Sequence, residues 1–129
     1  MPTTDAIANP TKKQHALVAS DRVEGTVVRR LSGEKIGTIQ RVMIDKISGN
    51  VAYAVLSFGG FLGLGEKHLP IPWQRLKYDT TSESYQVSIS DAELAKAPSY
   101  AADQEFDWGD RSEERRLHEF YGTRPYWGI

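Results

Sequence analysis

Between residues 25 and 89 the apolar positions recur with the period of two expected of β-strands. Residues 25–29 form a short β-prone run. Residues 31–34 then read as a hairpin turn, with Gly33 suited to a positive φ. Residues 35–45 predict a long second strand. Ile36, Thr38, Gln40, Val42 and Ile44 fall on one face and Ile39 and Met43 on the other, while Gly37 marks a bend, a bulge or a close backbone approach. A turn at 46–50 leads into residues 51–58, which are apolar on both faces. Val51, Tyr53 and Val55 oppose Ala52, Ala54, Leu56 and Phe58. Such a strand is covered on both sides. One side is the barrel interior, and the other needs a cover from elsewhere in the chain. Residues 67–73 carry Pro70 and Pro72 two apart, so one backbone edge loses its donors, as at an edge strand or a barrel seam. Residues 74–79 continue to a polar turn at 80–84, and Tyr85, Val87 and Ile89 alternate as the last clear strand.

Helical signals come afterwards. Ser90 and Glu93 have capping-box spacing, and Pro98 stops the short helix that they start. Residues 99–109 read as an extended connection. Asp110 is a second N-cap, followed by acids where the helix dipole favours them. Leu117, Phe120 and Tyr121 share a face, Gly122 suits the C′ position, and Pro125 confirms the stop. Residues 1–15 are polar, with two prolines and a Lys pair, and read as a flexible leader. No period of 20–50 residues recurs.

Composition narrows the function classes. The 129 residues suit one domain, and 40% hydrophobic with 26% charged residues is an ordinary globular balance. The formal charge is −1, too small a field to steer nucleic acid to the whole molecule. Residues 101–129 are mildly acidic, with four Arg against seven acids. With no cysteine, disulfides, thiolate metal sites and a thiol nucleophile are excluded. Ala16, Leu17, Val18 and Ala19 are too short an apolar run for a signal peptide or a membrane span, so cytoplasmic residence is expected.

The consecutive runs Gly33-Glu34-Lys35-Ile36-Gly37-Thr38-Ile39, Val42-Met43-Ile44-Asp45 and Ser48-Gly49-Asn50-Val51-Ala52-Tyr53-Ala54-Val55 resemble the PRC-barrel family. Residues 59–67, Pro72-Trp73, residues 76–79 and residues 97–100 extend the likeness. The Arg-rich helix followed by Phe120-Tyr121-Gly122 and Pro125-Tyr126-Trp127 resembles the extension of stand-alone bacterial members. The resemblance implies a mainly β fold: a six-stranded barrel with short helical turns, a C-terminal helix and an aromatic tail. The barrel would span 16–100 and the extension 101–129. Relatives include the cytoplasmic domain of the photosynthetic reaction-centre H subunit and the barrel of a ribosome maturation factor. The resemblance thus implies a binding or assembly module, and fold alone does not choose the partner.

Catalytic constellations are not apparent. His15, His68 and His118 lack metal-pair spacing, and His118, between Glu114 and Glu119, reads as an exposed, solvated side chain. No metal or cofactor is expected. The glycine loop 59–65 lacks the Lys-Ser or Lys-Thr of a phosphate loop. Its Phe61, Leu62 and Leu64 suit either a cover over the barrel end or a protein contact. No Gly-x-Ser-x-Gly elbow or paired carboxylates appear, so an enzyme is not expected. Arg29, Arg30 and Arg41 suggest an RNA-contacting hairpin, but a solvated face is the simpler reading for so neutral a body. Trp108, Phe120, Tyr121, Tyr126 and Trp127 hold five of the thirteen aromatic residues. They cover either their own barrel or a partner's. The expected function is a non-catalytic protein-interaction or assembly module forming a homodimer. The alternative is an RNA- or ribonucleoprotein-binding module.

Overall fold

The computed structural model describes residues 16–59 and 65–128. The leader, residues 1–15, and the loop residues Phe61, Leu62 and Leu64 lie outside the described residues.

Strands β1 (Val27–Arg30), β2 (Lys35–Ile44), β3 (Val51–Gly59), β4 (Glu66–Pro72), β5 (Leu76–Asp79), β6 (Ser84–Val87) and β7 (Tyr100–Ala101) form one sheet in the order β5-β6-β1-β2-β3-β4-β7. All ladders are antiparallel except β1–β6. Three helices, α1 (Ser20–Val23), α2 (Asp91–Lys96) and α3 (Arg111–Tyr121), and a 3-10 turn at Trp73–Arg75 complete the described elements. The expectation of six strands in a closed barrel needs two corrections. Among the described residues the sheet has seven strands, and no ladder joins its ends β5 and β7, so hydrogen bonding leaves it open. The added strand, β7, is two residues long and pairs only with Lys67 and His68, too short to show a period of two.

Most turn signals work as the residues imply. Gly33 and Gly49 adopt φ of 98° and 80° in the two hairpin turns. Ser90 and Glu93 close a reciprocal capping box on α2, and Asp110 caps α3 by accepting from the Ser112 N–H. Gly122 ends α3 in the left-handed region. In β4 the full ladder to β3 survives both prolines, so their missing donors face the other edge, which β7 pairs only at residues 67 and 68.

The faces of β2 differ from simple alternation. The register to β3 shifts between Ile39 and Arg41, which makes Gln40 a bulge residue. Ile39 therefore pairs with Leu56 and Val42 with Ala54 on the inner face, whereas Met43 faces outward beside Tyr53. Val28, Ile39, Ala54, Leu56, Leu69, Ile71 and Val87 fill the inner face with almost no exposure. Gly37 is the close approach its sequence suggests, because a Cβ there would overlap the Ser57 carbonyl oxygen. Strand β3 is buried on both faces from Ala52 to Leu56, so its outer face requires the cover described next.

Candidate functional site

The outer cover of β3 is the chain's own C-terminal extension. Helix α3 turns Glu114, Leu117, His118 and Tyr121 inward, positions at i, i+3, i+4 and i+7 on one face. Phe120, grouped with that face by its spacing, instead stands 36% exposed. Leu117 and Tyr121 supply apolar burial. Glu114 and His118 meet on β3's outer face at the Tyr53 hydroxyl. It donates to Glu114 Oε1 at 2.8 Å and lies 2.8 Å from His118 Nε2. His118 Nδ1 is in turn 2.8 Å from Thr123 Oγ1. His118 is thus a buried, hydrogen-bonded ring at 3% exposure, and the solvated reading of it is corrected. His68 is buried as well, edge-on to Tyr100 at 5.4 Å.

These bonds fix a proton order. Burial holds the imidazole of His118 below its ordinary value, which favours the neutral ring. Burial first, then the bond to Glu114, pushes the Tyr53 phenol far above its ordinary value and keeps it protonated. With the Tyr53 hydroxyl donating its hydrogen bond to Glu114, a neutral His118 satisfies both neighbours by donating from Nε2 to Tyr53 and accepting from Thr123 at Nδ1.

Aromatic rings pack around this network. Tyr53 lies 5.1 Å from Trp108 and 5.9 Å, edge-on, from Tyr126. Phe106 lies tilted against Trp108 at 4.4 Å, a contact that no motif in the sequence marks. Trp127 stands edge-on to His118 and carries the Arg111 guanidinium 4.0 Å over its own ring. Between this cluster and the β2–β3 turn opens a groove of about 510 Å³, walled by Tyr53, Trp108, Tyr126, Glu114 and residues 43–47. The turn is locked. Asp45 accepts from the Ile47 N–H and the Ser48 hydroxyl, and Ser48 accepts from the Asn50 N–H. The Ser48 bond is the main reason the Asp45 carboxyl sits below its ordinary value.

A family model for the PRC-barrel domain matches residues 17–94, more than half of the sequence. The chain belongs to the PRC-barrel family. No match is found among curated proteins. The match ends before α3, so the PRC-barrel domain contributes Tyr53 and the β2–β3 turn, while Trp108, Glu114, His118 and Tyr126 come from the extension beyond it.

Of the five aromatic residues proposed as contacts in that extension, Trp108, Tyr121, Tyr126 and Trp127 pack on the chain's own barrel or on its neighbours there, with Tyr121 almost wholly buried. The three arginines do not converge. Arg30 is held by Asp91 at 2.6 Å, with Glu34 at 3.7 Å, and Arg29 donates to the Gly33 carbonyl. Arg41 pairs with Gln40 and lies six residues, roughly 20 Å of strand, beyond the Lys35 that Arg29 opposes. One anchor went unnoticed in the sequence. Arg75 donates to the Tyr121 and Ser88 carbonyls at 2.7 and 2.6 Å, clipping the end of α3 to the barrel. A lone Arg after a Trp carries no sequence signal for that role. Among the described residues no His, Cys, Asp and Glu cluster of metal-binding size occurs, and no helix is long and apolar enough to cross a membrane.

Proposed function

We propose that this PRC-barrel protein is a non-catalytic protein-interaction module that self-associates through the face framed by the β2–β3 turn and the aromatic tail. One observation carries the reading. Ile47 is 96% exposed and Ile44 52%, beside Tyr126 at 40%, around the rim of the groove. An isoleucine at the tip of a turn gains nothing from folding, and here the Asp45 and Ser48 bonds hold the turn rigid and so lower the ordering cost of a contact. The non-catalytic reading draws on the burial of Glu114 and His118, which meet only through the Tyr53 hydroxyl, and on His118 forming no wall of the groove. The test is sedimentation of the wild type and Ile47→Asp across a concentration series. A concentration-dependent dimer that Ile47→Asp turns into an equally heat-stable monomer is expected. A wild type that is monomeric throughout, or a dimer indifferent to Ile47→Asp, refutes self-association on this face. The RNA- or ribonucleoprotein-binding alternative draws less support, because Arg29, Arg30 and Arg41 are separately engaged. Salt-dependent RNA binding that weakens on Arg41→Ala would favour it instead.

A further inference from the structure

The groove is not merely apolar. Its floor holds a carboxylate, Glu114, that is only 2% exposed. A buried carboxylate needs compensation from close partners. Glu114 Oε1 has the Tyr53 hydroxyl and the Tyr126 hydroxyl also interacts with the carboxylate, but the nearest cation to Oε2 is Arg111, with Nε at 4.0 Å. The Arg111 guanidinium lies 4.0 Å over the Trp127 ring and 5.9 Å from the Tyr126 ring, and it forms no wall of the groove. Among the described residues the negative charge therefore faces the groove with phenol hydroxyls beside it but no closely paired cation. Around it stand three aromatic rings from three segments: Tyr53 of β3, Trp108 of the connection before α3, and Tyr126 of the tail. Asp45 adds a second acid on the opposite wall, against one rim cation, Lys46.

We propose that the groove is a binding site for an alkylated ammonium cation, of the kind carried by a choline-type head group or a trimethylated lysine side chain. Ring faces attract a cation through their quadrupoles, and this attraction outlasts the loss of N–H donors that ends ordinary hydrogen bonding to a methylated nitrogen. The buried Glu114 supplies a charge that a neutral ligand of the same shape cannot use. Methyl groups lose little on leaving water, whereas an unmethylated ammonium gives up strong hydration to enter an aromatic wall. The volume of about 510 Å³ lies within the range of small-ligand sites and leaves room for such a group beside the rings. The inference goes beyond self-association, because it holds whether or not the rim takes a second copy.

The test titrates choline into the full chain by calorimetry, in parallel with its neutral tert-butyl analogue. Two peptides, one with trimethyllysine and one with unmodified lysine, complete the set. Choline or the trimethyllysine peptide is expected to bind saturably. The matching neutral or unmodified probe should bind about tenfold more weakly or worse. Binding of both cations makes the head group sufficient, and binding of the peptide alone makes the source a protein side chain. Glu114→Gln, which keeps an acceptor for Tyr53, should weaken the cation about tenfold, as should Tyr126→Leu at the open rim. Should Glu114→Gln fail to fold, the charged-against-neutral comparison on the wild type still decides. Equal binding of the neutral analogue, or no saturable binding of either cation, overturns the proposal.

Discussion

Replacing Tyr53 by Phe removes one oxygen atom and leaves the ring contacts with Trp108, His118 and Tyr126 in place. That oxygen is the hydrogen-bond partner on β3 for two groups of α3. Losing a hydrogen bond to a charged acceptor costs about 1.5–3 kcal/mol, and leaving a buried donor unsatisfied costs about 1–3 kcal/mol. Because one oxygen serves both bonds the terms overlap, and about 2–4 kcal/mol is expected for Tyr53→Phe. That is a large part of the roughly 5–15 kcal/mol typical of a domain. At this chain length it lowers the thermal midpoint by roughly 4 °C per kcal/mol. The assay is urea unfolding, followed both by far-ultraviolet circular dichroism and by tryptophan fluorescence, since Trp108 and Trp127 report on the extension. The same exchange in a Glu114→Gln background should cost about 1 kcal/mol less, because the acceptor is no longer charged. A loss below about 1 kcal/mol in the wild-type background refutes the view that this bond docks the extension on the barrel.

The contrasting exchange is Tyr121→Phe. The Tyr121 hydroxyl is buried without a hydrogen-bond partner among the described residues, and burial pushes its phenol well above the ordinary value. Removing it should leave stability unchanged or raise it by about 1 kcal/mol in the same urea assay, and a loss as large as that of Tyr53→Phe would show that the hydroxyl is satisfied after all. Stability should also fall with acid in two stages. The folded chain holds His118 below 6.5, so the unfolded chain takes up the proton first and stability, complete above that value, declines as pH drops below it. Asp45, Asp79 and Asp110 are held below 3.8 chiefly by serine hydroxyls, so their contribution is lost only in stronger acid. Urea midpoints between about pH 7.5 and pH 5.5 isolate the first stage, which His118→Gln should flatten. Gly37→Ala should cost about 1–3 kcal/mol through overlap with the Ser57 carbonyl, and a neutral result in thermal unfolding would mean that β2 and β3 can separate there.

What the sequence reveals of this fold follows the range of each signal. Gly33, Gly49, Gly122 and the Ser90–Glu93 box act within four residues of themselves, and each does what its type implies. The two-faced apolar run of β3 announces that a cover exists, and the aromatic tail announces something that needs covering. Joining the two requires contacts across 61 and 65 residues, which no local pattern encodes. Glu114 and His118 were legible only as polar members of a stripe that continues through Leu117 and Tyr121. A stripe read from apolar residues alone selects Phe120 and passes over both. The bulge at Gln40 was hidden for a different reason. Inserting one residue preserves the apolar content of β2 while exchanging its faces beyond that point.

The origin of the groove's walls bears on how far its chemistry extends within the family. Tyr53 and the β2–β3 turn belong to the matched PRC-barrel segment, but Glu114, Trp108 and Tyr126 do not. A barrel ending near Tyr100 would leave the outer face of β3 bare and the Tyr53 hydroxyl without Glu114 or His118. The extension is therefore both the cover that β3 demands and the source of the groove's carboxylate and two of its three aromatic walls. Arg75 ties the two roles together. By donating to the last turn of α3 and to the exit of β6 it sets the position of the helix that aims Glu114 at the groove. Whatever the groove recognises is thus a property of the barrel joined to this extension, and the anchors of the cover are also the supports of the site.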